Sequence, residues 1–475
     1  MNLVGVNIPA PKVRIPKESV EKYAQLFKGI RDRKDTVSWR TLIVTIRELL
    51  GEKYPDFKKV SRRYHSRGRK LISQLVKNTY LENLVPEIEF AVGVRGLTGR
   101  GGRDLDFLLL NGKHFPESLL WTLADYIKLR GKKVSVINPV GHYNDGQTRV
   151  VGPLKFFRKI GKVVILASTQ SKLGGSVSVL SNVIRLIRNP DFASRVSKVD
   201  VVIPMFGGSR GHRSGQSIEV GFEVMEAGFN AKLLSLPAKD LLEKLKKETA
   251  KIPSIAFFSI DIHSQDYPAH TFSEEGFEFT SIDPTGEIAG QIVKLIAAKK
   301  VTKLPIRLVA CDKGAVARTE KLAREVIQSR HPRITSLQII YLEKKRIGAG
   351  MVLGSTIARI EEWIRTGKSI KKKPLRVPQR PNFRNTILIY SDDMIDTGGT
   401  AEKDFEYISS LYPNSALKIF VATHPVFSKG FGALKRIEAD YFVLGNTLSR
   451  EGLEDIKGVI SVDLAPAIYS TIQNK

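Results

Sequence analysis

Residues 386–400 read TILIYSDDMIDTGGT, in which an apolar run is followed by three carboxylates and then by small, glycine-containing residues. The apolar run predicts a buried strand. The small residues after it can turn backbone N–H groups and hydroxyls toward a phosphate at a helix N-terminus. Because carboxylates repel phosphate, Asp392, Asp393 and Asp396 suit ribose hydroxyls or a divalent cation reached through water. The stretch therefore predicts a strand, a binding loop for a phosphorylated sugar, and a helix.

Further apolar runs follow Asp104 at intervals that leave room for a helix between them. Strands separated by helix-length segments are typical of parallel sheets covered by helices, and the number of runs suits two sheets better than one. The sequence thus predicts an α/β protein with two mainly parallel sheets. The runs are Phe107–Leu110, Val163–Leu166, Val199–Ile203, Ile255–Ile260, Ile306–Ala310, Leu337–Leu342, Thr386–Tyr390 and Leu417–Ala422.

Composition indicates a folded intracellular protein. The chain has 475 residues, of which 42% are hydrophobic, enough for sizeable cores. No apolar stretch approaches the roughly 20 residues that cross a bilayer, and the first residues lack the pattern of a signal peptide. A single cysteine, Cys311, excludes an internal disulfide and agrees with a reducing compartment. We therefore expect a cytoplasmic location and no membrane partner.

The charge is strongly positive, at +28, and part of the excess lies at the N-terminus. Residues 1–103 hold 22 Lys and Arg against 10 Asp and Glu. Helical apolar spacing over residues 36–50 and 70–80 flanks a basic stretch at 58–70. This segment predicts a basic, mainly helical extension that ends at the glycines of 99–103. This basic segment is compatible with a nucleic-acid-binding module, with a solvated basic face and with an oligomer contact.

Residues 392–400 resemble the ribose-phosphate loop of phosphoribosyltransferases. Their sequence is most similar to that of the ribose-phosphate pyrophosphokinases, or PRPP synthetases. Other segments resemble motifs of the latter family in the same order along the chain. They are Leu110–Pro116, Tyr143–Gln147, Pro204–Arg210, Asp261–Ser264, Asp312–Arg318 and Tyr341–Arg346.

The resemblance implies a domain organisation. It implies two phosphoribosyltransferase-like domains with mainly parallel sheets, at 104–281 on the nucleotide side and 282–475 on the ribose 5-phosphate side, after the extension at 1–103. The last helix is expected to pack back on the first of these domains. Because the family completes its adenine pocket with a neighbouring subunit, at least a homodimer is expected.

The resemblance also implies an activity, the transfer of diphosphate from ATP to C1 of ribose 5-phosphate with Mg²⁺, and a role for each matching residue. Two mobile cations would be catalytic, one set of residues would bind ATP, another would bind the sugar phosphate, and two residues would approach the metal. The catalytic pair is Lys344 and Arg346; the ATP set is Tyr143, Asp145, Gln147, Arg210 and His263; the sugar-phosphate set is Asp392, Asp393, Asp396, Thr397, Gly398, Gly399 and Thr400; the metal pair is His263 and Asp312.

Some residues depart from the family pattern. Gly211 and His212 stand where the family continues with Gln-Asp, and Gln147 replaces a Glu. These changes leave open a different diphosphoryl donor, a non-catalytic regulatory or nucleic-acid-binding subunit, and a phosphoribosyltransferase that consumes PRPP. Residues 366–381 are basic and punctuated by prolines, which predicts a mobile loop longer than the family's connection.

Overall fold

A computed structural model describes residues 104–475, except for short gaps. The gaps are 112–114, 138–139, 143–147, 151–158, 169–182, 185–189, 208–216, 219–220, 223–225, 249–252, 263–265, 330, 348–350, 378–384, 449 and 451. The chain divides into two compact units, residues 1–103 with 135–158, and residues 104–134 with 159–475. The predicted helical extension lies outside the described residues. Among those that are described, no helix combines the length and apolarity needed to cross a bilayer.

The first sheet has six strands in the order β10-β9-β6-β5-β1-β2. The five strands from β10 to β1 pair in parallel. The central strands β6 and β9 are buried along most of their length, as expected for strands covered on both faces. The strands are β1 (Leu105–Asn111), β2 (Val134–Ile137), β5 (Ile160–Leu166), β6 (Val196–Ile203), β9 (Ser254–Ile260) and β10 (Glu278–Ile282).

The second sheet has eight strands in the order β14-β13-β12-β11-β15-β16-β17-β18. The six from β12 to β18 pair in parallel, while β12, β13 and β14 form consecutive antiparallel hairpins at one edge. The strands are β11 (Ile306–Ala310), β12 (Ser336–Ile347), β13 (Met351–Thr366), β14 (Ser369–Leu375), β15 (Ile387–Ile395), β16 (Leu417–Pro425), β17 (Tyr441–Gly445) and β18 (Val459–Val462). Two further short hairpins pair β3 (Val140–His142) with β4 (Thr148–Val150) and β7 (Ser217–Ile218) with β8 (Gly221–Phe222).

Helices connect most of the parallel strands and bury one stripe each. In the helix Val316–Gln328, for example, the buried residues recur every three or four positions, from Thr319 to Ile327. The helices are α1 (Glu117–Leu129), α2 (Pro190–Ala193), α3 (Glu226–Glu248), α4 (Asp266–Glu274), α5 (Thr285–Ala298), α6 (Val316–Gln328), α7 (Gly399–Leu411), α8 (Gly432–Arg436) and α9 (Ala465–Asn474).

The predicted fold class is confirmed, since the protein is an α/β protein with two mainly parallel sheets. All eight apolar runs quoted above coincide with strands or lie within them to within one residue. The first sheet is built from residues 105–282 and the second from residues 306–462. The division into domains at 103 and 281 stays a prediction.

The prediction of a mobile loop over residues 366–381 is wrong for most of its length. A two-residue turn with Gly367 at φ +64° leads into β14, an exposed outer strand that pairs with β13. Lys372 lies 4.0 Å above the buried indole of Trp363, so its stem covers apolar surface. Pro374 is tolerated because an edge strand does not need every backbone N–H.

Helix α9 packs against elements of the first sheet. The ring of Tyr469 lies 5.4 Å from that of Tyr126 on α1 and 6.0 Å from that of Phe107 on β1. Lys162 on β5 donates to the carbonyl oxygen of Ile472, and its Nζ lies 2.9 Å from the carboxylate of the fully buried Asp200. Two strands of the first sheet and the last helix therefore share one buried ion pair.

Candidate active site

Polar residues gather at the carboxyl ends of the parallel strands of both sheets. Asp261 follows β9, Asp312 follows β11, Asp392 and Asp393 lie near the end of β15, and His424 lies near the end of β16. In open α/β sheets the carboxyl edge is where ligands bind. These residues therefore mark the candidate site.

The glycine loop, residues 396–400, joins β15 to α7 and is held from behind. Gly398 has φ +79°, and a Cβ at this position would lie 2.6 Å from the Cβ of Ala433. The carboxylate of Asp396 accepts the backbone N–H of Ser428 at 2.8 Å, and Arg436 donates to the carbonyl oxygen of Thr397 at 2.6 Å. Thr397 and Gly399 remain exposed. The N-terminus of α7 is thus accessible to an anion.

Asp392 and Asp393 form a carboxylate pair just before the glycine loop. Asp393 is buried, Asp392 is half-buried, and the backbone N–H of Asp393 donates to Oδ1 of Asp392 at 2.9 Å. Burial, and then the neighbouring charge of Asp393, raise the pKa of Asp392 well above its usual value. A cation or a hydroxyl donor in this position would stabilise the ionised pair.

Arg318 joins this pair to the first sheet. Its Nε lies 3.1 and 3.0 Å from the two carboxylate oxygens of Asp261, at the end of β9. Burial works against the charge of Arg318, but the carboxylates of Asp261, Asp393 and Asp392 outweigh it, so the pKa of the guanidinium is raised. The charge of Arg318 is therefore stabilised by carboxylates that belong to both sheets.

Asp261 has a backbone conformation that ordinary residues rarely adopt, with φ +40°. Thr423 Oγ1 donates to its carboxylate, and His424 Nε2 lies 3.3 Å from its carbonyl oxygen. His424 Nδ1 lies 2.9 Å from the hydroxyl of Thr447. Thr447 Oγ1 also lies 3.1 Å from the carbonyl oxygen of Thr423, so its single proton serves either that oxygen or Nδ1. A neutral ring protonated on Nε2 makes both of its contacts when Thr447 donates to Nδ1. Burial lowers the pKa of His424 despite the charges of Asp261 and Asp393.

Gly445 permits the close packing of β17 against β16 beside this cluster. A Cβ at Gly445 would come within 2.4 Å of the carbonyl oxygen of Thr423. No other residue type fits without moving Thr423, whose side chain contacts Asp261.

Asp312 lies at the start of the connection from β11 to α6. Its Oδ1 accepts the backbone N–H of Ala315 at 3.0 Å, which shapes the turn into the helix. Within the described part of the chain, no three His, Cys, Asp or Glu side chains are grouped as ligands of a metal ion. His263, the predicted partner of Asp312, lies outside the described residues.

Lys344 and Arg346 belong to strand β12 and lie near the tip of the hairpin that it forms with β13. Lys344 is paired with Ser355, and Arg346 with Val352. Irregularities in the register, between Tyr341 and Leu342 and between Lys345 and Arg346, lie on either side of Lys344. Such bulges bend and twist a hairpin locally and are common beside functional sites.

Four predicted ATP-binding residues also fall in the gaps. Tyr143, Asp145, Gln147 and Arg210 lie outside the described residues, as does the side chain of Thr400. Their assignments stay predictions. The structure does bring together the carboxylate pair, Asp396 and the start of α7.

Sequence reasoning missed the residues that connect the two sheets. Asp261 and Arg318 occurred in quoted motifs without a role, and Thr423, His424 and Thr447 were not singled out. One signal was available, because Thr423 and His424 follow directly on the apolar run of β16. Polar residues at the carboxyl end of a predicted parallel strand deserve the same weight as a recognised motif.

Comparison with known proteins identifies the fold. No protein-family model and no curated protein sequence matches the chain. Among solved structures, phosphoribosylpyrophosphate synthetase from Mycobacterium smegmatis is similar over 78% of this chain and 98% of that chain, at 19% identity and a TM-score of 0.50. Hypoxanthine-guanine phosphoribosyl transferase from L. donovani matches over 35% of this chain and 82% of that chain, at 17% identity and a TM-score of 0.21. The similarity to the first of these structures shows that the chain has the fold of phosphoribosylpyrophosphate synthetase over that length.

Proposed function

We propose that the protein transfers diphosphate from ATP to ribose 5-phosphate, giving PRPP and AMP. The C1 hydroxyl oxygen of the sugar would attack the β-phosphorus of ATP. A new O–P bond forms, the bond from the β-phosphorus to the oxygen bridging to the α-phosphorus breaks, AMP leaves, and the hydroxyl proton is released. Catalysis of this step consists mainly of alignment and charge neutralisation.

The contact between Arg318 and Asp261 is the observation that carries the proposal. Together with the hydrogen bond from Thr423 on β16, the neighbour of β15, it connects the end of β9, the strand that precedes His263, to the second sheet. A reaction between a nucleotide and a sugar phosphate needs two binding sites that face a common space. A cation shared between the strand ends of two sheets supports such an arrangement.

The sugar phosphate would bind at the glycine loop. Thr397, Gly398, Gly399 and Thr400 would hold the 5-phosphate at the N-terminus of α7, whose dipole and free N–H groups favour an anion. Asp392, Asp393 and Asp396 would receive the ribose hydroxyls.

The available donors fit a Mg²⁺ ion. Mg²⁺ in nucleotide sites is held by one or two carboxylates together with substrate phosphates and water, so a preformed cage of three side chains is not required. Asp312 is proposed to approach the metal, together with His263, and the raised pKa of Asp392 indicates a place where added positive charge is stabilising. When bound, the ion would neutralise phosphate charge and orient the diphosphate.

Lys344 and Arg346 are proposed as the cations that meet the transferring group. Their place near the tip of the β12–β13 hairpin, beyond the part of β12 that pairs with β11, suits residues that would extend to a bound substrate. A phosphoribosyltransferase is the second reading of the same glycine loop, but such an enzyme needs one domain of this kind, and the second parallel sheet supports a separate nucleotide-binding domain. Incubating the protein with PRPP and nucleobases, and looking for nucleotides, distinguishes the two activities.

The direct test is release of AMP and PRPP in equal amounts from ATP and ribose 5-phosphate with Mg²⁺. Asp396→Asn keeps an oxygen that can accept from Ser428 but removes the charge, so we expect activity to fall about 10- to 100-fold. Asp440→Asn is the matched control, because Asp440 accepts the backbone N–H of Lys418 at 2.7 Å at the opposite edge of the sheet. Folded wild-type protein that forms no AMP, or equal losses in both variants, would contradict the proposal.

Two further proposals concern the partners of the protein. Assembly into at least a homodimer, and nucleic-acid binding through residues 1–103, are proposals that sedimentation and a salt series of binding measurements can test.

A further inference from the structure

The hairpin that carries Lys344 is hydrogen bonded to the helix that begins at the glycine loop. Ser355, which pairs with Lys344 across the hairpin, is buried and donates its hydroxyl to Oδ1 of Asp404 on α7. Asp404 is 1% exposed. The contact therefore joins two segments that are far apart in the sequence and adjacent at the candidate site.

The other oxygen of Asp404 accepts a hydrogen bond from a residue that is much closer to it in the sequence. Tyr390 on β15 donates its hydroxyl to Oδ2 of Asp404 at 3.1 Å. Strand β15, the glycine loop and α7 follow one another along the chain, so Tyr390 and Asp404 are already held near each other by a short connection. The bond from Ser355 has no such covalent support. It is a polar contact that links the hairpin directly to the helix beginning at the loop.

The location of Ser355 within β13 strengthens this reading. Lys344 and Ser355 lie in the short regular stretch between the two register irregularities of the hairpin. Bulges on both sides allow the strands to bend there, so the hairpin itself specifies the position of Lys344 only loosely. A buried hydrogen bond to a rigid helix at this point would remove that freedom.

We propose that Asp404 is a positioning residue, which acts through Ser355 to hold the Lys344 segment in a fixed place relative to the glycine loop. The inference rests on the proposed function, in which Lys344 meets the group transferred to a sugar held by that loop. A displacement of about 1 Å can cost on the order of a hundredfold in rate, so one buried hydrogen bond has a large kinetic effect here.

The kinetic test compares two variants that each remove one hydrogen bond to the same carboxyl group. Ser355→Ala should lower kcat by about 10- to 100-fold, with the KM for ribose 5-phosphate changed less than about threefold. Tyr390→Phe should lose a similar amount of stability but keep kcat within about threefold. Ser355→Thr retains the hydroxyl and should recover most of the lost kcat. Equal kcat values in Ser355→Ala and wild type, or equal losses in Ser355→Ala and Tyr390→Phe, would overturn the proposal.

A second measurement needs no activity and separates this inference from the proposed function. Hydrogen exchange on the substrate-free protein should be faster in residues 342–347 and 351–357 of Ser355→Ala, and unchanged in β11. Tyr390→Phe should leave exchange in the hairpin as in wild type. If wild type forms no AMP but exchange changes in this way, the proposed function fails and the structural link stands. If exchange in the hairpin is the same in both variants, the link itself is refuted.

Discussion

Gly398 is the residue on which the shape of the glycine loop depends most directly. Gly398→Ala should destabilise the protein by about 1–3 kcal/mol, because the left-handed backbone is strained for alanine and the added Cβ meets Ala433 at 2.6 Å. Thermal or urea unfolding measures the loss. Gly399→Ala is the control, since a Cβ there meets nothing within 4 Å. Equal stability of the two variants would show that the conformation at Gly398 is not required.

His424 should remain uncharged in the folded protein at pH values where an ordinary histidine takes up a proton. Burial lowers its pKa in the folded state, so the unfolded state binds more protons below about pH 6.5 and the free energy of unfolding falls as pH falls. His424→Gln should remove this part of the pH dependence, at most about 1.4 kcal/mol per pH unit.

Urea unfolding of wild type and His424→Gln from pH 8 to pH 5 gives the difference between their free energies of unfolding. This difference separates the contribution of His424 from those of the other titratable groups. The raised pKa of Asp392 acts in the opposite direction, and it contributes to both proteins. A difference that stays constant across this range would contradict the assignment of a neutral, buried imidazole.

Trp363 is the centre of the edge formed by β12, β13 and β14. Its indole is fully buried, its Nε1 donates to Glu361 at 3.2 Å, and Lys372 of β14 covers its ring. Glu361 also accepts from Tyr341 of β12 at 2.9 Å, and burial followed by this carboxylate raises the pKa of Tyr341. The hairpins are therefore held by an aromatic centre rather than by their turns alone.

Trp363→Ala should cost about 3–5 kcal/mol, the usual range for a large buried aromatic residue. Hydrogen exchange should show that Ser369–Leu375 loses protection first, because this strand is the outermost of its sheet among the described strands. Leu129→Ala, at a side chain that is 83% exposed, should leave both quantities unchanged. Protection of β14 that survives in Trp363→Ala would show that another contact holds the strand.

The elements that the sequence predicted correctly are those in which one local signal dominates. The run Ile306–Ala310 is apolar apart from Arg307, all five residues are buried, and the run matches β11 residue for residue. Strand β14 lacks that signal, since Lys371, Lys373 and Pro374 are exposed on an edge. The contact between Arg318 and Asp261 could not be predicted either, because it depends on how the two sheets meet.

Lys162 and Asp200 connect the interior of the first sheet to the last helix. Lys162→Ala should cost about 3–5 kcal/mol, because it leaves a buried carboxylate without its closest cation and removes the donor to Ile472. Lys128→Ala is the control, since Lys128 forms an exposed pair with Asp125 whose loss should cost less than about 1 kcal/mol. If Lys162→Ala is no less stable than this control, the buried pair does not hold the two regions together.

The packing of α9 on α1 also has a consequence for synthesis of the chain. The strands of the first sheet are complete at Ile282, but the helix that covers Tyr126 and Phe107 begins only at Ala465. At about 5–20 residues per second, a ribosome needs roughly 10–40 s to make the intervening segment. During that interval the nascent chain exposes an apolar surface that a chaperone could recognise. Helix α9 covers this surface only after the second sheet has been translated.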